Sequence, residues 1–190
     1  INAPRWQSGE VKLKDLKGYA RALANVKNDI ANSNFQSCLN RIVKLQNQLL
    51  SLKPWLSYSA LQCALGHVKQ TSQGYNDLNK WIQVIESNKN WWLTGGQKNL
   101  LQKTYIAAQL ELFDFHRKNR RSLAWDAFDK LMAHKDLLGN EDMADVLKKA
   151  GELAFLQQNL IVAYDYLTRS LRLKKDLDVN NRLSSIRELL

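Results

Sequence analysis

The sequence predicts an all-α protein built from stacked antiparallel helix hairpins. Three observations point there. Glycine and proline, the strongest helix breakers, number only 8 and 2 in 190 residues. Apolar residues recur at three- and four-residue steps along most of the chain, which gathers them on one helix face. No run alternates apolar and polar residues as a half-buried strand would.

Residues 1–12 read as an extended leader containing Pro4 and Trp6. From Leu13 to Ala31 the positions Leu16, Tyr19, Ala20, Leu23 and Val26 mark a first helix. Asn32-Ser33-Asn34 is a turn in which Ser33 or Asn34 can cap the next helix. That second helix carries Phe35, Cys38, Leu39, Ile42, Leu45 and Leu49 and ends before Pro54. Pro54 suits the first turn of a third helix, whose apolar face is Tyr58, Leu61, Leu65 and Val68. After a turn at 71–74, Tyr75, Leu78, Trp81, Ile82 and Ile85 mark a fourth.

Residues 88–96, NKNWWLTGG, break the rhythm and separate two hairpins at 13–87 from two more, with a last helix, at 97–190. The fifth helix runs through Leu101, Tyr105, Ala108, Leu112 and Phe115, and the sixth through Ala124, Trp125, Phe128 and Leu131. Gly139 is free to take a left-handed helix stop. Helices seven and eight flank the polar hinge Gln157-Gln158-Asn159. A final amphipathic helix with Leu183, Ile186 and Leu190 is suited to cap the stack.

The hinge region is the most regular part. Gly151 and Ala163 lie twelve apart, one on each helix, and Ser170 comes seven later. Small side chains at those positions let antiparallel helices approach closely. This spacing, best over 144–175, resembles a tetratricopeptide (TPR) repeat. Lys175 stands where that family has proline, and Leu147 replaces its tryptophan. Gly66 and Leu78, and Leu112 and Ala124, repeat the twelve-residue spacing with larger partners. The second-helix anchors Cys38, Leu78, Ala124 and Ala163 are 40, 46 and 39 residues apart, longer than the family's repeat of about 34. The resemblance implies one continuous helical-repeat domain, a short right-handed TPR-like solenoid with a C-terminal capping helix.

Composition narrows the function. The net charge is +10, divided at Gly95 into +7 before and +3 after, so affinity for an anionic surface is expected beside ordinary solubility. No apolar run reaches the length of a membrane span, and no signal peptide is visible. The missing initiator Met implies a removed leader or an excised piece of a larger protein. With the tryptophan content, it leans toward an exported, periplasmic protein over a cytoplasmic one. Cys38 and Cys63 are too few for a disulfide framework and suit no zinc site. One bridge is open in an oxidising compartment, but free, buried thiols are favoured.

Chemistry-bearing constellations are sparse. Asp114 and His116 point about 200° apart on a helix and share no face. Glu141, Asp142 and Asp145 suit a helix N-terminus and lack the spacing of a calcium loop. No phosphate loop or nucleophile elbow is present. The expectation is therefore a non-enzyme without metal or cofactor. Arg117, Lys118, Arg120 and Arg121 form the densest basic run and are candidate anion contacts, or simply stabilise a helix C-terminus. Trp91 and Trp92 are candidate aromatic anchors, or plugs between the two pairs of hairpins.

The TPR resemblance implies a scaffold that binds a protein or peptide in a concave groove lined by first helices. Carried onto this chain, the groove residues are Gln109, Phe113 and His116 from one unit and Lys148, Glu152 and Phe155 from the next. The alternative is binding of an anionic polymer, nucleic acid or cell-wall glycan, through the basic surface. Partner identity and oligomeric state are left open.

Overall fold

A computed structural model describes residues 13–49, 53–88, 98–119 and 121–190. Among them every regular element is helical: α1 (Leu13–Ala31), α2 (Phe35–Gln46), α3 (Lys53–Val68), α4 (Gly74–Glu86), α5 (Lys98–Asn119), α6 (Arg121–Ala133), α7 (Asn140–Leu156), α8 (Leu160–Leu173) and α9 (Leu177–Arg187), with a 3-10 turn at Lys135–Leu137. The contacts divide the chain into two compact units, 1–108 and 109–190, so the division falls inside α5. The tryptophan–glycine stretch with Trp91 and Trp92 lies outside the described residues.

In the first unit α1 packs on α2 and α3, α2 on α3, and α3 on α4. Val26, Ile42, Leu56, Leu61, Leu78, Ile82 and Ile85 are sealed from solvent, each contributing roughly 1.5–3 kcal/mol of burial. The buried set of α3 differs from the expected stripe. Tyr58, Leu65 and Val68 are half-buried, while Leu56, Ser57, Ser59, Ala60, Cys63, Ala64 and His67 are buried with Leu61. Three neighbouring helices cover α3, so burial extends well beyond one face. Ser57 satisfies its hydroxyl by accepting from Gln46 Nε2 at 3.1 Å. Gly66 serves a different neighbour from the expected Leu78: a β-carbon there would fall inside the Phe35 ring of α2.

Cys38 and Cys63 are fully buried, as expected, but they form a disulfide joining α2 to α3. The expectation of free thiols is thus corrected. The pairing comes from the packing of α2 against α3, which two cysteines 25 residues apart do not reveal in sequence.

In the second unit α7 and α8 form the most extensive helix pair, and α9 packs on α8. A β-carbon on Gly151 would lie 2.6 Å from Leu167 Cγ and 3.2 Å from the Ala163 carbonyl oxygen. Gly151 and Ala163 are both buried, so the small pair does set the close approach at the hinge. Ser170 is buried and donates to the Ala144 carbonyl oxygen at 2.7 Å, tying the far end of α8 to the start of α7. Phe128 of α6 packs on Phe113, Trp125 and Tyr166, with ring centroids 5.9, 5.6 and 5.1 Å away.

The turns of the α1–α2 and α7–α8 hairpins share one geometry. Ser33 and Gln158 are left-handed, at φ 59° and 61°. Asn34 N–H donates back to the Asp29 carbonyl and Asn159 N–H to that of Ala154, at 2.8 and 3.0 Å, the bond pattern of a Schellman stop. Gly139, expected to be left-handed, is instead extended (φ −69°, ψ 161°) and precedes α7. The α9 helix buries only Val179, Leu183 and Ile186. Its opposite side carries exposed Asn180, Asn181, Ser184 and Arg187.

Candidate functional site

The second unit contains an open cleft of about 600 Å³ between α7 and α9. Leu167 and Val179, both buried, form its floor, and half-buried Phe155 and exposed Leu156 form an apolar wall. Lys148 and Glu152 on α7 and Asp178 and Arg182 on α9 supply charges of both signs. Lys148, Glu152 and Phe155 follow one another at four- and three-residue steps along α7, so they share a face.

Charged contacts hold the walls. Asp176 caps α9: its Oδ1 accepts from the N–H groups of Asp178 and Val179 at 2.9 and 3.2 Å. Its Oδ2 accepts from Lys148 Nζ at 2.7 Å. The lysine bond holds the Asp176 carboxyl below its ordinary value, with the Val179 N–H helping. The same bond raises the Lys148 ammonium against the pull of burial. A second line runs across α5, α7 and α9, from Asp145 to Lys149 (2.7 Å), Asp114 (2.8 Å), Arg117 (3.8 Å), Glu152 (3.2 Å) and Arg182 (3.8 Å). Burial lowers the Lys149 ammonium, but hydrogen bonds from it to Asp114 and Asp145 outweigh burial and leave it raised. This line carries three positive and three negative groups, so it fixes geometry without building a net field. No family model, curated protein or solved structure matches this chain.

The structure sorts the candidate residues. Lys148, Glu152 and Phe155 line the cleft together. Gln109 and Phe113 do not: both are 0% exposed, and Phe113 is committed to the Phe128 ring. His116 is half-buried and edge-on to Phe115, 5.4 Å between centroids. Arg117, a candidate anion contact, lies 3.8 Å from Asp114 and 3.2 Å from Glu152. Lys118 and Arg121 are exposed at the α5–α6 connection, and Arg120 lies outside the described residues.

Sequence reasoning missed one constellation in the first unit. His67, 5% exposed, bonds Asp77 Oδ2 through Nδ1 at 3.0 Å and Thr71 Oγ1 through Nε2 at 3.1 Å. The imidazole links the end of α3 to its turn and to α4, satisfying both ring nitrogens where burial makes an unpaired one costly. The four-residue step from His67 to Thr71 was the available signal. Among the described residues no helix is long and apolar enough to cross a membrane.

Proposed function

We propose that the chain is a non-catalytic helical-repeat scaffold of TPR-like type, and that the α7–α9 cleft captures a segment of a protein or peptide partner. The observation that carries this reading is the cleft itself. A large aromatic wall and an aliphatic floor lie open between charges of both signs, the arrangement of a hot-spot pocket with a polar rim. The matching segment carries one large apolar side chain flanked by an acidic and a basic residue. The packing of α1 on α2, α2 on α3, α3 on α4, α6 on α7, α7 on α8 and α8 on α9, with α1 also touching α3 and Arg117 of α5 reaching Glu152 of α7, supports a solenoid row within each unit, and the TPR resemblance gives it its right hand. The buried Cys38–Cys63 bridge favours an exported location, because such bonds persist in oxidising compartments.

Selection of a random peptide library against the full chain tests the reading. Selected peptides should share the apolar anchor with flanking charges, and Phe155→Ala should weaken them about tenfold or more. Peptides that bind Phe155→Ala as tightly as the original chain would remove the cleft from the account.

A further inference from the structure

The net charge is distributed unevenly. Residues 1–108 hold 14 basic and 5 acidic side chains, a net of +9, whereas 109–190 hold 14 and 13, a net of +1. In the first unit three carboxylates are engaged internally: Asp29 by Arg41, Asp77 by His67 and Glu86 by Tyr105. Lys17, Arg21, Lys27 and Lys80 are exposed.

Within this field lies a polar hollow of about 410 Å³ on α2, lined by Ser37, Asn40, Arg41 and Lys44. Their spacing puts them on one helix face. Asp29, 9% exposed, fixes Arg41 by accepting from its Nε at 2.9 Å. Both terminal NH2 groups of Arg41 are left without a partner among the described residues. Ser37 Oγ also donates to Asp29, at 3.4 Å. Asn40 accepts from Gln36 through Oδ1 at 3.4 Å, which leaves its amide N–H groups for a ligand. A positioned guanidinium, an amide and the exposed Lys44 ammonium thus present donors to one space.

We propose that this hollow binds the acid groups of an acidic polysaccharide. Guanidinium and ammonium donors match carboxylate, sulfate or phosphate oxygens, and Ser37 and Asn40 match neighbouring hydroxyls. No aromatic side chain lines the hollow, so it offers no platform for the stacking by which single-stranded nucleic acid is held. The only large apolar side chains exposed among the first unit's described residues are Val43 and Leu100, too little to insert into a bilayer.

The test measures binding of the full chain to a sulfated oligosaccharide, a uronate oligosaccharide and a single-stranded DNA of equal charge, at about 50 and about 200 mM salt. Both glycans should bind more tightly than the DNA, and salt should weaken them. Asn40→Ala and Lys44→Gln, which leave Asp29 paired, should each weaken the glycans about fivefold or more, while Lys80→Gln should change binding less than about twofold. The tighter glycan identifies the acid group. Three results would overturn the proposal: no glycan binding at the lower salt, DNA bound as tightly as the glycans, or Asn40→Ala and Lys44→Gln no weaker than Lys80→Gln.

Discussion

Gly151 meets Ala163 across the α7–α8 hairpin so closely that a β-carbon on the glycine would lie 3.2 Å from the alanine's carbonyl oxygen. Leu167 closes the same space at 2.6 Å. Gly151→Ala should therefore destabilise the second unit: overpacking costs roughly 1–3 kcal/mol, against a helix-propensity gain of about 1 kcal/mol. Gly151→Val adds bulk and loses much of that gain, so it should cost more. Denaturant unfolding of the two variants checks the order.

The left-handed residues Ser33 and Gln158 give a prediction of opposite sign. Holding a side chain in that conformation costs about 1–2 kcal/mol, which glycine avoids. Gln158→Gly and Ser33→Gly should each raise the melting temperature by about 2–4 °C. Gln158→Val should lower it.

The Asp176–Lys148 contact predicts a pH dependence. The Asp176 carboxyl sits below its ordinary value of 3.8, so its stabilisation is complete above that value and is lost as pH falls through the depressed one. Lys148 sits above 10.5; its share is complete below 10.5 and lost as pH rises beyond the raised value. Asp176→Asn keeps a capping side chain but loses the charge. Its melting temperature should fall below that of the original chain by a constant amount between about pH 5 and 9, and the gap should close near pH 2. Asp176→Ala also loses the cap and should melt lower still at neutral pH.

The Cys38–Cys63 bridge closes a loop of 25 residues, which by chain entropy stabilises by about 3.5 kcal/mol. Cys38→Ala with Cys63→Ala should lower the stability of the first unit by about that amount. Both cysteines are 0% exposed, so reductant and an alkylating agent should modify them only under denaturing conditions, as mass spectrometry would show.

Much of the helix pattern was legible because helix period and breakers are local. The α7–α8 approach was legible too, since two small residues twelve apart report a close crossing directly. The face of α3 was not: three neighbours cover it, and which residues they cover depends on packing rather than on period. The disulfide was missed for a related reason, as Cys38 and Cys63 meet only once α2 lies on α3. Of the candidate groove, Lys148, Glu152 and Phe155 reach the cleft because α9 leaves that face of α7 open, whereas Phe113 turned inward to the Phe128 ring.

Nuclear magnetic resonance titration of the full chain with a selected peptide tests the central claim most directly. Capture in the cleft predicts shift changes concentrated at Lys148, Phe155, Val179 and Arg182, all of which Phe155→Ala abolishes at the same peptide concentration. Shifts concentrated away from α7 and α9, or unchanged in Phe155→Ala, would contradict it.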